Sequence, residues 1–318
     1  QQQMEDLVAE PRPQSGQGTF QAPYGDYTWK ATVSALEKDT ILEIQVSVDG
    51  PRGARYRLST QRRKDLRRFV FRQEDRLYAA DEDRPQPDLL SRGLKSQGYS
   101  LSPADGQTLA YVDLWQGKPQ IFRRKIGESQ GTIWIQQEGG AQEPCFSPDG
   151  REVAFTTVVE GMSQVFVWRQ GGASPRSRGG HHDGSPTYTP DGKGLIVCRD
   201  QFSLVLLQGG SETTLVESDT GWNSSPSLSA DGKTLVFMSN RDGNPEIYAM
   251  NLAGKQIRRL TDDPGYDSQP QFSGDGQRIL FSRRHEGLTR LYSMNPDGTQ
   301  LTALTSTELS AEEPQWTR

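Results

Sequence analysis

Phe146-Ser147-Pro148-Asp149-Gly150, followed at once by an apolar run at 153–157, is one of five copies of a single pattern: an apolar or aromatic residue, a Ser or Thr, then a short turn ending in Asp-Gly. The other copies are Leu101-Ser102-Pro103-Ala104-Asp105-Gly106, Tyr188-Thr189-Pro190-Asp191-Gly192, Leu228-Ser229-Ala230-Asp231-Gly232 and Phe272-Ser273-Gly274-Asp275-Gly276. Successive aspartates stand 44, 42, 40 and 44 residues apart, close to the ~40–45 residues of a four-stranded propeller blade. Asp-Gly supplies the positive φ that a tight turn between antiparallel strands needs. After each copy comes a short run of β-formers, as at 235–239. A polar turn such as Asn240-Arg241-Asp242-Gly243-Asn244 follows, then a third strand such as Ile247-Tyr248-Ala249-Met250. A weaker fourth strand closes four of the blades and is hard to see at 174–180, which is mostly Gly, Ser and Arg.

The C-terminal run Glu313-Pro314-Gln315-Trp316-Thr317 matches Gln269-Pro270-Gln271-Phe272-Ser273 and is a first strand without the rest of its blade. Stretches 67–72, 76–80 and 88–91 can supply the other three strands. Closure by both ends of the chain removes the free edges of an open array. The expected fold is therefore all-β: a six-bladed β-propeller with a closing blade shared by the termini, plus a small N-terminal β appendage. The expected division is a disordered arm over 1–18, a β-hairpin appendage over 19–60 and the propeller over 61–318. Its blades fall at about 97–140, 141–182, 183–222, 223–266, 267–310 and 66–92 joined by 311–318. A seventh, degenerate blade is the alternative for the appendage.

Composition narrows the partners. A chain of 318 residues with 32% hydrophobic residues, 33 Gly and 19 Pro favours many short strands over one deep core. The formal charge of -5 provides no global field for a nucleic acid, and no stretch approaches the ~18 apolar residues of a membrane span. Cys145 and Cys198 are too few for a disulfide framework or a structural zinc site and read as free thiols. A processed start at Gln1 would suit a periplasmic or secreted protein.

The consensus of a Pro, Ser-Pro-Asp-Gly, an apolar strand, Asn-Arg-Asp-Gly, Ile-Tyr-x-Met and Leu-Thr, carried almost whole by 223–262, resembles the propeller repeat of the TolB family. The resemblance implies a periplasmic, non-catalytic protein, expected as a monomer, that binds a protein or peptide of the cell envelope through the propeller face and central channel. Similar repeats also occur beside peptidases and in propeller lyases, which fits the broader use of one fold for many functions.

In such a ring the residues just before each repeated Pro crowd one mouth of the channel. The expected binding set is Gln97, Glu143, His182, Asp183, Ser225, Gln269, Glu312 and Glu313, against the plainer reading of a solvated rim. Convergent carboxylates there could hold a partner's Lys or Arg, or a Ca2+ ion in the central channel. No Asp-x-Asp-x-Asp-Gly loop supports calcium, and no other cofactor or metal is expected. His181-His182-Asp183 is the best catalytic suspect, yet neighbours on an extended chain point opposite ways and suit an exposed loop better. No nucleophile elbow is present, so no catalytic residue is assigned. The alternatives to partner binding are a lyase or hydrolase acting on a polysaccharide and a carbohydrate- or ligand-binding module. The basic run Arg62, Arg63, Lys64, Arg67, Arg68 and Arg72 could grip an anionic glycan, but reads better as an edge-protecting strand diluted by Asp65, Glu74 and Asp75.

Overall fold

The computed structural model describes residues 16–19, 28–36, 41–49, 55–63, 67–82, 84–93, 98–305 and 310–316. The chain divides into two units, residues 1–66 and 67–318. In the first unit β1 (Gly16–Thr19), β2 (Thr28–Leu36), β3 (Ile41–Asp49) and β4 (Arg55–Arg63) form one antiparallel meander in the order β1-β2-β3-β4. Asp49 pairs with Arg55 across the expected hairpin. The first strand starts inside the stretch read as an arm and the last runs to Arg63, so this sheet is wider than a 19–60 hairpin.

The second unit opens with β5 (Arg68–Gln73), β6 (Arg76–Asp81) and β7 (Arg84–Arg92). Five sheets of sequence-consecutive strands follow. The first blade holds β8 (Tyr99–Leu101), β9 (Thr108–Trp115), β10 (Lys118–Lys125) and β11 (Thr132–Ile135). The second holds β12 (Gln142–Phe146), β13 (Val153–Val159), β14 (Met162–Arg169) and β15 (Gly172–Pro175), and the third β16 (Asp183–Tyr188), β17 (Gly194–Arg199), β18 (Ser203–Gln208) and β19 (Ser211–Val216). The fourth holds β20 (Asn223–Leu228), β21 (Thr234–Ser239), β22 (Glu246–Asn251) and β23 (Ile257–Arg259). The fifth holds β24 (Tyr266–Phe272), β25 (Ile279–His285), β26 (Leu288–Met294) and β27 (Thr302–Ala303). The last strand, β28 (Glu312–Trp316), pairs with β5 in the order β28-β5-β6-β7, which completes six blades.

Side chains fasten this closing blade to both neighbours. Trp316 packs edge-on against Phe69 and donates its indole N–H to the Gln271 carbonyl at 3.1 Å. Gln315 donates to the Tyr99 carbonyl at 2.7 Å and accepts from the Leu101 N–H at 3.2 Å. Tyr99 donates its hydroxyl to the Glu313 carbonyl at 2.6 Å. Arg68 to Gln73 is thereby an inner member of a sheet, flanked by β28 and β6, and does not protect an edge.

The Asp-Gly motif has a clear local cause. In the second blade Ser147 Oγ donates to Asp149 at 2.7 Å and accepts the Glu152 N–H at 2.9 Å, while Asp149 accepts the Arg151 N–H at 3.1 Å. Thr189 with Asp191 and Ser229 with Asp231 repeat the arrangement. Each turn thus satisfies its own backbone and fixes where the second strand begins.

Among the described residues the propeller has no single core. Six apolar clusters sit between successive blades, one at each junction. Cross-strand ring pairs such as Phe71–Tyr78, Phe237–Tyr248 and Phe281–Tyr292, 5.7–5.9 Å apart, feed these clusters. A fully buried aromatic of this kind contributes about 3–5 kcal/mol against truncation to Ala. Every blade is held by two such interfaces, so the ring positions its inner strands rigidly around the axis.

Candidate functional site

The inner strands β8, β12, β16, β20, β24 and β28 line a central cavity of about 630 Å³. Five of them carry a bulge near the start, with an X-Pro pair inside it. Each proline, 144, 186, 226, 270 and 314, is buried. The residue before it takes a left-handed φ: Glu143 52°, Ser185 48°, Ser225 50°, Gln269 53° and Glu313 54°. In the first blade Gly98, φ 96°, stands just ahead of β8 without a following proline. A non-glycine residue in this region costs about 1–2 kcal/mol, and such strain persists only where the surroundings over-determine it. Here the repeat imposes it five times around one cavity.

Two carboxylates link this ring from blade to blade. Glu143 accepts the Thr156 hydroxyl at 2.6 Å, the Ser185 N–H at 2.7 Å and the Ser185 hydroxyl at 3.1 Å. Glu313 accepts the Gly98 N–H at 3.1 Å and lies 3.6 Å from Arg72 Nε. Burial pushes the Glu313 carboxyl above the usual carboxylate range, opposed by Arg72. Gln142, Gln271, Gln315, Ser100, Ser227 and Thr187 complete a polar wall. Among the described residues that line the cavity the only charged side chains are these two glutamates.

Glu143, Ser225, Gln269 and Glu313 therefore stand where the sequence places them, and Ser185 joins them unforeseen. Three expected members belong elsewhere. Asp183 lies two residues ahead of the ring position, because Pro186 and not Asp183 aligns with Pro144. It is fully buried and takes two hydrogen bonds from Arg199 at 2.8 and 2.9 Å. Asp267 with Arg283 at 2.7 Å is the same strut in the fifth blade, and Asn223 with Arg241 at 2.9 Å replaces it in the fourth. Glu312 pairs across the strand with Arg72 at 2.5 Å and does not line the cavity. His182 is exposed outside the cavity, and its Nδ1 accepts the Ser163 N–H at 3.3 Å. Gln97 lies outside the described residues.

The neighbouring His181 holds Asp200 at 2.7 Å, and the Asp200 carboxyl is kept low by the His182 backbone N–H and by His181. The two rings thus meet different partners, a carboxylate and a backbone N–H, as expected for neighbours on an extended chain. Among the described residues no group of three His, Cys, Asp or Glu side chains could hold a metal ion. Two carboxylates already engaged by Thr156, Ser185, Gly98 and Arg72 are a poor donor set for calcium. Cys145 and Cys198 are free, with both thiols raised by burial, Cys198 to about 12.

The start of each inner strand lies opposite the end of the second strand, as in Gln142↔Thr156, Asn223↔Ser239 and Glu312↔Arg72. The bulge ring and the hairpins between second and third strands consequently share one face, and the Asp-Gly turns lie at the other. The hairpins leave large apolar side chains in solvent: Leu114 (62% exposed) and Trp115, Val158 and Met162, Phe202 (50%), and Leu288.

A family profile described as the TolB beta propeller domain matches residues 67–203 and 199–318. The chain belongs to this family. The Tol-Pal system protein TolB of Bordetella pertussis is 31% identical over 181 residues, 56% of this chain and 32% of that protein. TolB-family chains of known structure share the fold: TolB from Acinetobacter baumannii superposes with a TM-score of 0.69 at 20% identity, over 93% of this chain and 84% of that one. So does a puromycin-hydrolysing peptidase of Mycobacterium tuberculosis, TM-score 0.54 at 16% identity, over 92% of this chain and 52% of that one. The aligned stretches span 30–42% of the curated relatives' lengths. Among the described residues no helix is long and apolar enough to cross a membrane.

Proposed function

We propose that this TolB-family propeller is a non-catalytic binding protein that docks a protein or peptide of the cell envelope on the face bearing the bulge ring. The observation that carries the reading is the placement of exposed apolar tips, Leu114, Trp115, Val158, Met162, Phe202 and Leu288, on the face of a cavity whose charged lining side chains, among the described residues, are the carboxylates Glu143 and Glu313. An apolar rim around a polar, acidic centre suits a partner that inserts a Lys or Arg and covers the tips with its own apolar surface. Kinship with a Tol-Pal system protein supports a periplasmic setting for this encounter. Rigid blades present the tips at little ordering cost, which favours affinity.

The test is retention of envelope proteins by the immobilised chain. Replacing Trp115 and Phe202 by Asp should abolish capture that survives moderate salt, while Lys233→Asp at the Asp-Gly face should leave it intact. Equal capture by all three proteins would count against the reading. A catalytic alternative would rest on the His181–Asp200 pair and would require His181→Ala to remove an activity that the Asp substitutions leave unchanged.

A further inference from the structure

Of the basic run, the members whose side chains are described are spent internally: Arg67 pairs with Glu82 and Asp275, Arg68 with Asp88, and Arg72 with Glu312. A different set of cations is unspent, and it surrounds a cavity of about 270 Å³ between the outer strand of the second blade and the third blade.

The repeat explains why the cavity exists. Ser177 Oγ accepts the Val165 N–H at 2.9 Å, as Thr261 Oγ1 accepts that of Ile247 at 2.9 Å and Thr305 Oγ1 that of Leu291 at 3.0 Å. These hydroxyls mark one equivalent place in three blades. The residue just ahead of each donates its N–H to the same carbonyl: Arg176 to Val165, Leu260 to Ile247 and Leu304 to Leu291, at 2.7–2.8 Å. The fourth and fifth blades thus put a leucine at this place, packed between blades in Leu260 and fully buried in Leu304. The second blade puts Arg176 there, exposed, and the junction is left open.

The walls are then amphipathic. Tyr188, Leu195 and Leu207 form an apolar floor, and Arg176, Arg178 and Lys193 stand on the rim with Ser211. Of the acids nearby, Glu212 lines the cavity and pairs with Arg199 at 2.6 Å, Glu152 accepts the Tyr188 hydroxyl and pairs with Arg169 at 2.7 Å, and Asp191 is held in its own turn by the Thr189 hydroxyl and the Lys193 N–H. Among the described residues none of the three rim cations has a carboxylate at ion-pair distance. In a chain of net charge -5, three cations that line one cavity over an apolar floor, none of them in an ion pair among the described residues, form a local anion trap.

We propose that this inter-blade cleft binds a phosphate or sulfate oxyanion carried by a small ligand no larger than a phosphorylated monosaccharide. The guanidinium groups of Arg176 and Arg178 and the Lys193 ammonium receive the oxyanion, and the apolar floor receives the uncharged part. The site lies away from the bulge ring and does not depend on the partner-binding reading.

Calorimetric titration at fixed ionic strength tests it, with inorganic phosphate, inorganic sulfate, glucose 1-phosphate and glucose as probes. Saturable binding of the anions but not of glucose is expected. Tighter binding of the ester than of phosphate would assign the floor to the sugar, whereas equal binding would assign the site to the free oxyanion. Arg176→Leu restores the leucine of the fourth and fifth blades and so preserves folding; it should weaken binding at least about tenfold. Lys193→Ala, on an exposed turn, should do so independently. The proposal is overturned if no anion binds saturably to the unaltered protein, or if both variants bind as it does.

Discussion

At the Asp-Gly end of the inner strands the same hydrogen bonds recur in the second to fifth blades; at the proline end the two residues ahead of each proline, Gln142-Glu143, Gly184-Ser185, Ser224-Ser225, Ser268-Gln269 and Glu312-Glu313, differ in all five blades. The first end is relaxed and closes on itself through Ser147 and Asp149 or Ser229 and Asp231. The second holds five left-handed, non-glycine residues and reaches between blades through Glu143 and Glu313. A fold that repeats one end and varies the other keeps its architecture at the first and is free to place chemistry at the second.

The largest losses are expected at the buried struts behind the proline end. Asp267→Ala leaves the Arg283 guanidinium buried beside Asp263 alone, and should cost about 3–5 kcal/mol in urea unfolding. Asp183→Ala should cost a similar amount, because Arg199 likewise keeps one carboxylate, Glu212. At the Asp-Gly end, Ser147→Ala and Ser229→Ala should each cost about 1 kcal/mol. Near-equal losses at these two sites would confirm one repeated device, and a wide spread would show that the turns are not equivalent.

Backbone strain gives a smaller effect of opposite sign in different blades. Gly98→Ala forces a Cβ into φ 96°, 3.4 Å from Val112, and should lower stability by about 1 kcal/mol. Ser225→Gly at φ 50° removes strain but loosens the unfolded chain, for a net gain of roughly 0.5 kcal/mol. A loss in Ser225→Gly matching that in Gly98→Ala would mean that the ring is not strained.

The smallest effect is in the pH dependence, where the two ends oppose each other. Asp149, Asp191 and Asp231 have lowered carboxyls, first because Ser or Thr hydroxyls bond them. Their contribution is present above the unfolded carboxylate value and is lost as pH falls through the folded one. Glu313 is raised by burial, so its protonated form favours folding and that contribution is lost as pH rises through its folded value. Melting curves from pH 7 to pH 4 should show Glu313→Gln more stable than the unaltered chain at neutrality, with the gap narrowing on acidification. A constant gap would remove the burial argument.

The ring was legible because Asp-Gly turns and the orphan run ending at Trp316 are local signals with a fixed spacing. The channel set was legible only where the proline marks the register. Asp183 and His182 stand ahead of the register that Ser185-Pro186 sets: the bulge after Gly184 takes the same place as those of the other four blades, and the X-Pro pair itself marks the wall position. The outer strand Gly172–Pro175 was faint because its pairing, Trp168↔Ala173 to Phe166↔Pro175, uses backbone groups and needs no apolar side chain. Arg72, Thr156 and Gly98, which hold the two glutamates, lie on other strands or in another blade and meet them only on folding.

The claim that partners dock at the proline end is tested most directly by site-specific photo-crosslinking in the cell envelope, with the reactive group placed at Trp115 and, in a second protein, at Lys233 on the opposite face. A discrete crosslinked species from position 115, absent from position 233 and lost when Phe202 is also changed to Asp, is the predicted result. The same species from position 233, or crosslinks at 115 that survive the Phe202→Asp change undiminished, would contradict it.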